Sequence, residues 1–334
     1  MTAASPSLAA EPFAKVGTTS MLAVLDFPVG VRNMGMGGTG VADMSQPANG
    51  YFNPASLAWT DATYVSYGHE DLFFDIEMND ARLTSGYRWG DSSGNAWRLG
   101  GGFGYTAMTM EPVVVRTVFL PEGTGESYEP DDYYVTTALA GAWERGGESI
   151  AVGVAAKYVR IEFASDEGTA WAFDYGFVAA KGFIAGGSML RPRVGFSMTN
   201  IGEELEYDDR FSDIAGETRM GLGFDFASPA KRTWGRNVAA VSGAFDADHV
   251  DRDVGDSYWA FGWEVSALQF IQMRAGYQWF DRDNYSVVSL GYGMGWEFGR
   301  MILRADYTHV SEPPTFFGVD RDRDLFGATV GARF

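Results

Sequence analysis

From Ala62 to the last residue, apolar and polar positions alternate with a period of two. In Ser286–Phe298, Val288, Leu290, Tyr292, Met294, Trp296 and Phe298 share one face, and Ser289, Gly291, Gly293, Gly295 and Glu297 share the other. Phe270–Phe280 sets Ile271, Met273, Ala275, Tyr277 and Trp279 against Gln272, Arg274, Gly276 and Gln278. Tyr258–Ala267 and Arg219–Phe226 repeat the pattern. Side chains alternate across a strand, so each segment has one greasy face and one polar or very small face. Segments of this kind start near Ala62, Asp75, Ala96, Asp132, Glu148, Gly168, Pro192, Gly216, Arg236, Ser257, Phe270, Asn284, Met301 and Arg323, about fourteen in all.

Alternation alone also fits a soluble sandwich. The greasy faces, however, are crowded with Trp, Tyr, Phe and Met, and this many such strands would need a very large soluble core. Turned outward into lipid, with Gly and charge facing a lumen, the same pattern describes a closed antiparallel transmembrane β-barrel, all-β, with about fourteen strands. An even count puts both ends on one side. The long connections Glu111–Asp131, Ile201–Ala215, Asp246–Asp256 and Ser311–Asp322 then share the outer side, and most inner turns are short. The last segment carries Phe326, Ala328, Val330, Ala332 and Phe334 on one face. A terminal Phe closing an amphipathic strand resembles the assembly signal of bacterial outer-membrane barrels, which assigns that role to Phe334. A barrel in lipid leaves no open edge. The last strand is therefore expected to pair with Thr63–His69, with Val65 and Tyr67 facing lipid in register with Phe326, Val330 and Phe334.

Residues 1–61 are irregular and rich in Gly, Pro and Asn, and are read as a periplasmic or luminal plug segment, with 62–334 as the barrel. Inward glycines, among them Gly195, Gly221, Gly223, Gly262, Gly276, Gly291, Gly293 and Gly327, leave room for it. Inward Arg219, Asp225, Glu264, Arg274, Glu297, Arg304 and Asp306 suggest a mixed-charge luminal network. Arg32 in the plug needs a carboxylate partner if buried, with Asp225, Glu264, Glu297 and Asp306 as candidates. Asn53 is expected to cap a turn held by Pro54.

The chain has 334 residues, no cysteine and a net charge of -19. It therefore has no disulfide framework and no thiolate metal site, and the acidity argues against nucleic acid as a partner. The start lacks a basic and then apolar leader, although Ser7-Leu8-Ala9 looks like a cleavage site.

Several motifs tempt other readings. Gly35-Met36-Gly37-Gly38-Thr39-Gly40 matches a dinucleotide fingerprint but lacks the strand, helix and βαβ unit it requires. Asp246, Asp248, Asp251, Asp253 and Asp256 crowd one outer loop, and Asp320, Asp322 and Asp324 another. Oxygen-rich loops can hold divalent cations, but the spacing is no EF-hand, and solvated loops are the simpler reading. His69, His249 and His309 sit in no catalytic frame. No catalytic, cofactor or metal residues are assigned, and an enzyme is not expected.

Two N-terminal motifs carry a resemblance. Gly30-Val31-Arg32-Asn33-Met34-Gly35-Met36-Gly37-Gly38-Thr39-Gly40-Val41-Ala42 and Gly50-Tyr51-Phe52-Asn53-Pro54-Ala55-Ser56-Leu57-Ala58 resemble the plug signature of the PorV/PorQ outer-membrane proteins, relatives of the FadL-type transporters. Val194–Gly202 and Met273–Tyr277 resemble later segments of that family. The chain departs at Asn33 and Thr39, where the family usually has alanines. The plug residues implied are Arg32, Gly35, Gly37, Gly38, Asn53, Pro54 and Ala55. The resemblance implies a bacterial outer-membrane location. It also implies a protein-binding scaffold or shuttle for type IX protein secretion and surface attachment, engaging secreted or envelope proteins at the extracellular loops. The alternative is FadL-like transport of hydrophobic small molecules.

Overall fold

The computed structural model describes residues 23–333 apart from 45–49, 73–75, 115–118, 126, 129–130, 164–165, 203–204, 208–209, 213, 215, 234–235, 254–255, 281–284 and 314–321. Phe334, Asp320 and the Ser7–Ala9 site lie outside the described residues.

The strands that form the wall are β1 Thr63–Asp71, β2 Ile76–Gly90, β3 Asn95–Met110, β4 Asp131–Arg145, β5 Glu148–Phe163, β6 Asp166–Lys181 and β7 Ser188–Gly202. They continue with β8 Glu217–Ala227, β9 Val241–Arg252, β10 Tyr258–Ala267, β11 Ile271–Phe280, β12 Tyr285–Phe298, β13 Met301–Ser311 and β14 Arg323–Ala332. Each pairs antiparallel with its neighbours, and β1 pairs with β14, so the fourteen strands close into a barrel. At the seam Val65 lies opposite Val330, Tyr67 opposite Ala328 and His69 opposite Phe326. Val65 and Tyr67 both face outward, as the greasy alternation requires. Closure satisfies the edge backbone groups that lipid could not. Among the described residues no helix is long and apolar enough to cross a membrane.

The outer surface is an apolar band. Leu290, Tyr292, Met294 and Trp296 on β12, and Met220 and Leu222 on β8, are all about half exposed. Such a surface is stable only against lipid.

One part of the sequence reading is corrected. Strand nine begins at Val241 rather than Arg236, because Arg236–Ala239 folds back on Ala230–Thr233 as a separate hairpin on the short-turn side. As a result Asp246 and Asp248 are not loop residues. They lie within β9, on its inward face, and are fully buried.

The β2–β3 turn on the short-turn rim is pinned by Asp91. Its carboxylate accepts hydrogen bonds from the Ser93 hydroxyl (2.6 Å), the Asn95 side chain (3.0 Å) and the Ser93 and Asn95 amides. These donors, Ser93 first, hold its pKa down at about 2. A depressed carboxylate contributes order that is present above its unfolded pKa of about 3.9 and is lost as pH falls through the folded value. Protection at Ser93 and Asn95, the exchange rate relative to that of an unstructured peptide at the same pH, is expected to hold down to pH 4 and to fall as pH drops through about 2. Fraying complete by pH 4 would contradict this.

Candidate functional site: the plugged lumen and its outer chamber

The plug enters as a short helix, α1 Ala23–Asp26, then α2 Val31–Gly35, then a 3-10 turn over Pro54–Trp59. All residues of α2 and of the 3-10 turn are buried. Asn53 caps the turn: its side-chain oxygen accepts from the Ala55 amide (3.0 Å), and Pro54 supplies the first position. Its side-chain nitrogen donates to the carbonyls of Val41 (2.6 Å) and Phe177 (3.0 Å), which ties the cap to the wall.

Glycine makes room for this backbone. A Cβ on Gly276 would fall inside contact distance of the Gly37 amide. The same is true of Gly262 against Met36, Gly195 against Val41, Gly100 against Leu57 and Gly153 against Ala55. Each is a point where plug main chain lies directly on wall main chain. Gly37 and Gly38 also take φ of +70°, where L side chains are strained. Gly35 is pressed against Gly291 and Thr308.

A layer of buried charge lies around the plug. Arg32 pairs with Asp43 and with Glu264 (2.9 Å), and Arg274 joins Glu264 (2.7 Å) to Asp306 (2.7 Å). Arg193 reaches Asp43 (3.3 Å), Asp225 (2.9 Å), Asp246 (3.1 Å) and the Ala42 carbonyl (3.0 Å). Asp248 accepts from the amides of Gly40 (2.8 Å) and Val41 (3.1 Å). The structure thus brings Asp225, Glu264, Arg274 and Asp306 together with Arg32. It places the others elsewhere. Arg219 pairs with Glu217 (2.7 Å) nearer the long-loop rim. Glu297 pairs with Arg333 (2.7 Å) at the short-turn rim. Arg304 enters no ion pair among the described residues. Arg193, Asp43, Asp246 and Asp248 are central to the layer and were not among the candidates read from the sequence.

Beyond this charged layer, toward the long-loop rim, the lumen changes character. Inward side chains of β2–β6 there are apolar: Met78, Met108, Tyr134, Val159 and Ile161 are buried. Leu72, Leu205 and Ile214 from the loops cover them, and Val24, Leu25 and Val29 of the N-terminal segment occupy the space between. On the same strand ends polarity is inverted. Glu77 and Asn79 flank inward Met78, Arg160 and Glu162 flank inward Ile161, and Asp324 precedes inward Leu325. The wall therefore rises past the lipid with a polar outside and an apolar inside. This inversion is visible in the sequence as a half-period shift at the strand ends, and it is the signal that could have located the chamber.

The histidines stand at this rim. His69 contacts Asp71 and Asn79 (both 3.0 Å), His309 contacts Asp324 (3.0 Å), and His249 lies against the Trp259 ring (4.6 Å). No group of three or more His, Asp or Glu side chains among the described residues is set to hold a metal ion.

The chain matches no protein-family model and no curated protein in sequence. In structure it is similar to the toluene transporter TodX of Pseudomonas putida, with a TM-score of 0.56 at 11% identity over 92% of this chain and 98% of that one. It is similar also to the toluene transporter TbuX of Ralstonia pickettii, with a TM-score of 0.54 at 11% identity over 92% and 98% of the two chains. The closed barrel, its lipid-facing apolar band and these likenesses make this chain a bacterial outer-membrane protein with a FadL-like fold.

Proposed function

We propose that this barrel transports hydrophobic small molecules across the outer membrane. The observation that carries the reading is the apolar chamber at the long-loop rim. Barrel interiors are ordinarily polar, so a lumen lined by Met78, Met108, Val159 and Ile161 needs a reason. Capture of greasy cargo from outside supplies one. Val24 and Leu25 of α1 fill the chamber as a ligand would, so cargo competes with the chain's own N-terminal segment. The likeness to two toluene transporters supports the same reading.

The test is binding of toluene to the purified barrel by equilibrium dialysis, with uptake by cells as a second readout. Met108→Asp puts a carboxylate into the chamber, which is costly in apolar surroundings. It is expected to weaken toluene binding more than about tenfold, while heat-modifiable gel mobility shows that the barrel still forms. Equal binding by the wild type and by Met108→Asp would remove the chamber from the mechanism.

A second reading, a PorV-like scaffold that engages secreted or envelope proteins at the outer loops, is supported by a different feature. The described strands close around the wall with one bulge, between Met198 and Ile201, and buried ion pairs tie the plug in place. A barrel whose plug is held by ion pairs suits a docking platform. Pull-down of the native protein separates the two: recovery of a secreted protein at its loops favours the scaffold, and its absence together with toluene uptake favours transport.

A further inference from the structure

We infer that the cargo of the outer chamber is uncharged, with no carboxylate or phosphate. This rests on the transport reading and narrows its substrate class. The inference comes from how the cations around the chamber are engaged.

Lys157 donates to Asp174 (2.9 Å) and to the Asn200 side-chain oxygen (2.7 Å), and its ammonium lies over the rings of Tyr51 (5.3 Å) and Tyr134 (5.8 Å). The backbone is shaped for this contact. The β6–β7 register shifts between Met198 and Ile201, and Asn200 takes a φ of 59°. That bulge aims the Asn200 side chain at Lys157, while the Asn200 amide donates to Asp174 (2.8 Å). Arg82, on the same inward face of β2 as Met78, is held by Asp80 (2.9 Å). Arg323 binds Glu70 (2.6 Å) and Glu312 (2.8 Å), with the Phe27 ring over its guanidinium (5.7 Å). Arg219 and Arg252 share Glu217 (2.7 and 3.0 Å), and Arg219 also lies over the Phe52 ring (5.2 Å).

Each of these cations has a carboxylate partner within the wall, and aromatic rings cover three of them. Among the described residues the chamber offers an anion no uncommitted cation. An ionised head group would have to enter an apolar space unpaired or break a buried pair, and both are unfavourable. A neutral molecule leaves those pairs intact while it packs against the methionine, aliphatic and aromatic side chains of the chamber.

Octan-1-ol and octanoate, matched in length, give the test at pH 8, where octanoate is ionised. Both compete for radiolabelled toluene on the purified barrel held in amphipol. Octan-1-ol is expected to compete, and octanoate to be at least about 100-fold weaker. Asp174→Asn frees the Lys157 charge, and the octanoate-to-octan-1-ol affinity ratio is then expected to rise at least about tenfold. Should that variant not fold, Glu70→Gln combined with Glu312→Gln frees Arg323 of both its carboxylates for the same comparison, and the wild-type ratio decides by itself. Octanoate binding as tightly as octan-1-ol would overturn the inference and leave transport standing. Failure of toluene, octan-1-ol and octanoate alike would overturn the transport reading and the inference with it.

Discussion

Replacing Gly276 by valine is expected to unseat the plug while leaving the barrel closed. The inward face of Gly276 lies against the Gly37 main chain, and an added side chain would meet the Gly37 amide and Cα and the Ser289 hydroxyl. The Gly37 main chain cannot swing away as the end of a flexible side chain could, and turning the Ser289 hydroxyl aside would cost its bond from the Gly37 amide. The Gly37 amide donates to Ser289 (3.1 Å) and its carbonyl accepts from Gln278 (3.0 Å), so both bonds would be lost as the plug withdraws. Overpacking of this kind costs roughly 1–3 kcal/mol or more. The β10–β11 and β11–β12 ladders use only backbone at this position and survive the change. The expected signs are cleavage near Met36 in limited proteolysis and new conductance in planar bilayers, with heat-modifiable mobility retained. Gly141→Ala is the matched control. A Cβ there meets only the Arg98 carbonyl at ordinary contact distance, so the effect should stay within about 0.5 kcal/mol. Wild-type protease resistance and silence in bilayers for Gly276→Val would show that the plug does not depend on this seat.

The strands were readable because lipid on one side and a crowded lumen on the other enforce a period of two along every strand. That is why the alternation of β8, β10, β11 and β12 matches the exposed and buried faces, and why Val65 falls opposite Val330 at the seam. The motif glycines were readable too, since only glycine allows main chain to lie on main chain. What misled the reading was charge. Asp246-Ala247-Asp248-His249 looks like a solvated loop, because aspartates rarely alternate inside a strand. They do so here because Arg193 and the plug amides of Gly40 and Val41 compensate them. Those partners lie far off in sequence and no local pattern announces them. Arg193 escaped notice for the same reason, since its role depends on three carboxylates from the plug and two strands. The outer chamber was missed on different grounds. The alternation there is intact but shifted by half a period, so it looks the same until each strand is aligned with the membrane.

Arg32→Met is expected to have the second large effect, this time through charge. Arg32 is buried between Asp43, eleven residues further along the plug, and Glu264 on β10. It is a direct ionic link between plug and wall. Without it Asp43 retains Arg193 at 3.3 Å and Glu264 retains Arg274 at 2.7 Å, and both carboxylates lose their link to each other. Breaking one partner out of a buried network costs roughly 3–5 kcal/mol, because the remaining charge stays buried. The melting temperature should fall and the plug should become protease-sensitive, while the strands persist. Two further variants separate charge from packing. Arg32→Lys keeps the charge but loses the fork that spans both carboxylates, so it should fall between the wild type and methionine. Asp43→Asn added to Arg32→Met removes one of the two carboxylates that lost Arg32 and should recover part of the loss. Combining Arg32→Met with Gly276→Val should add little further plug exposure, because both act on the same release of one segment from one wall. An unchanged melting temperature and unchanged protease resistance for Arg32→Met would mean that steric seating holds the plug without the ion pairs.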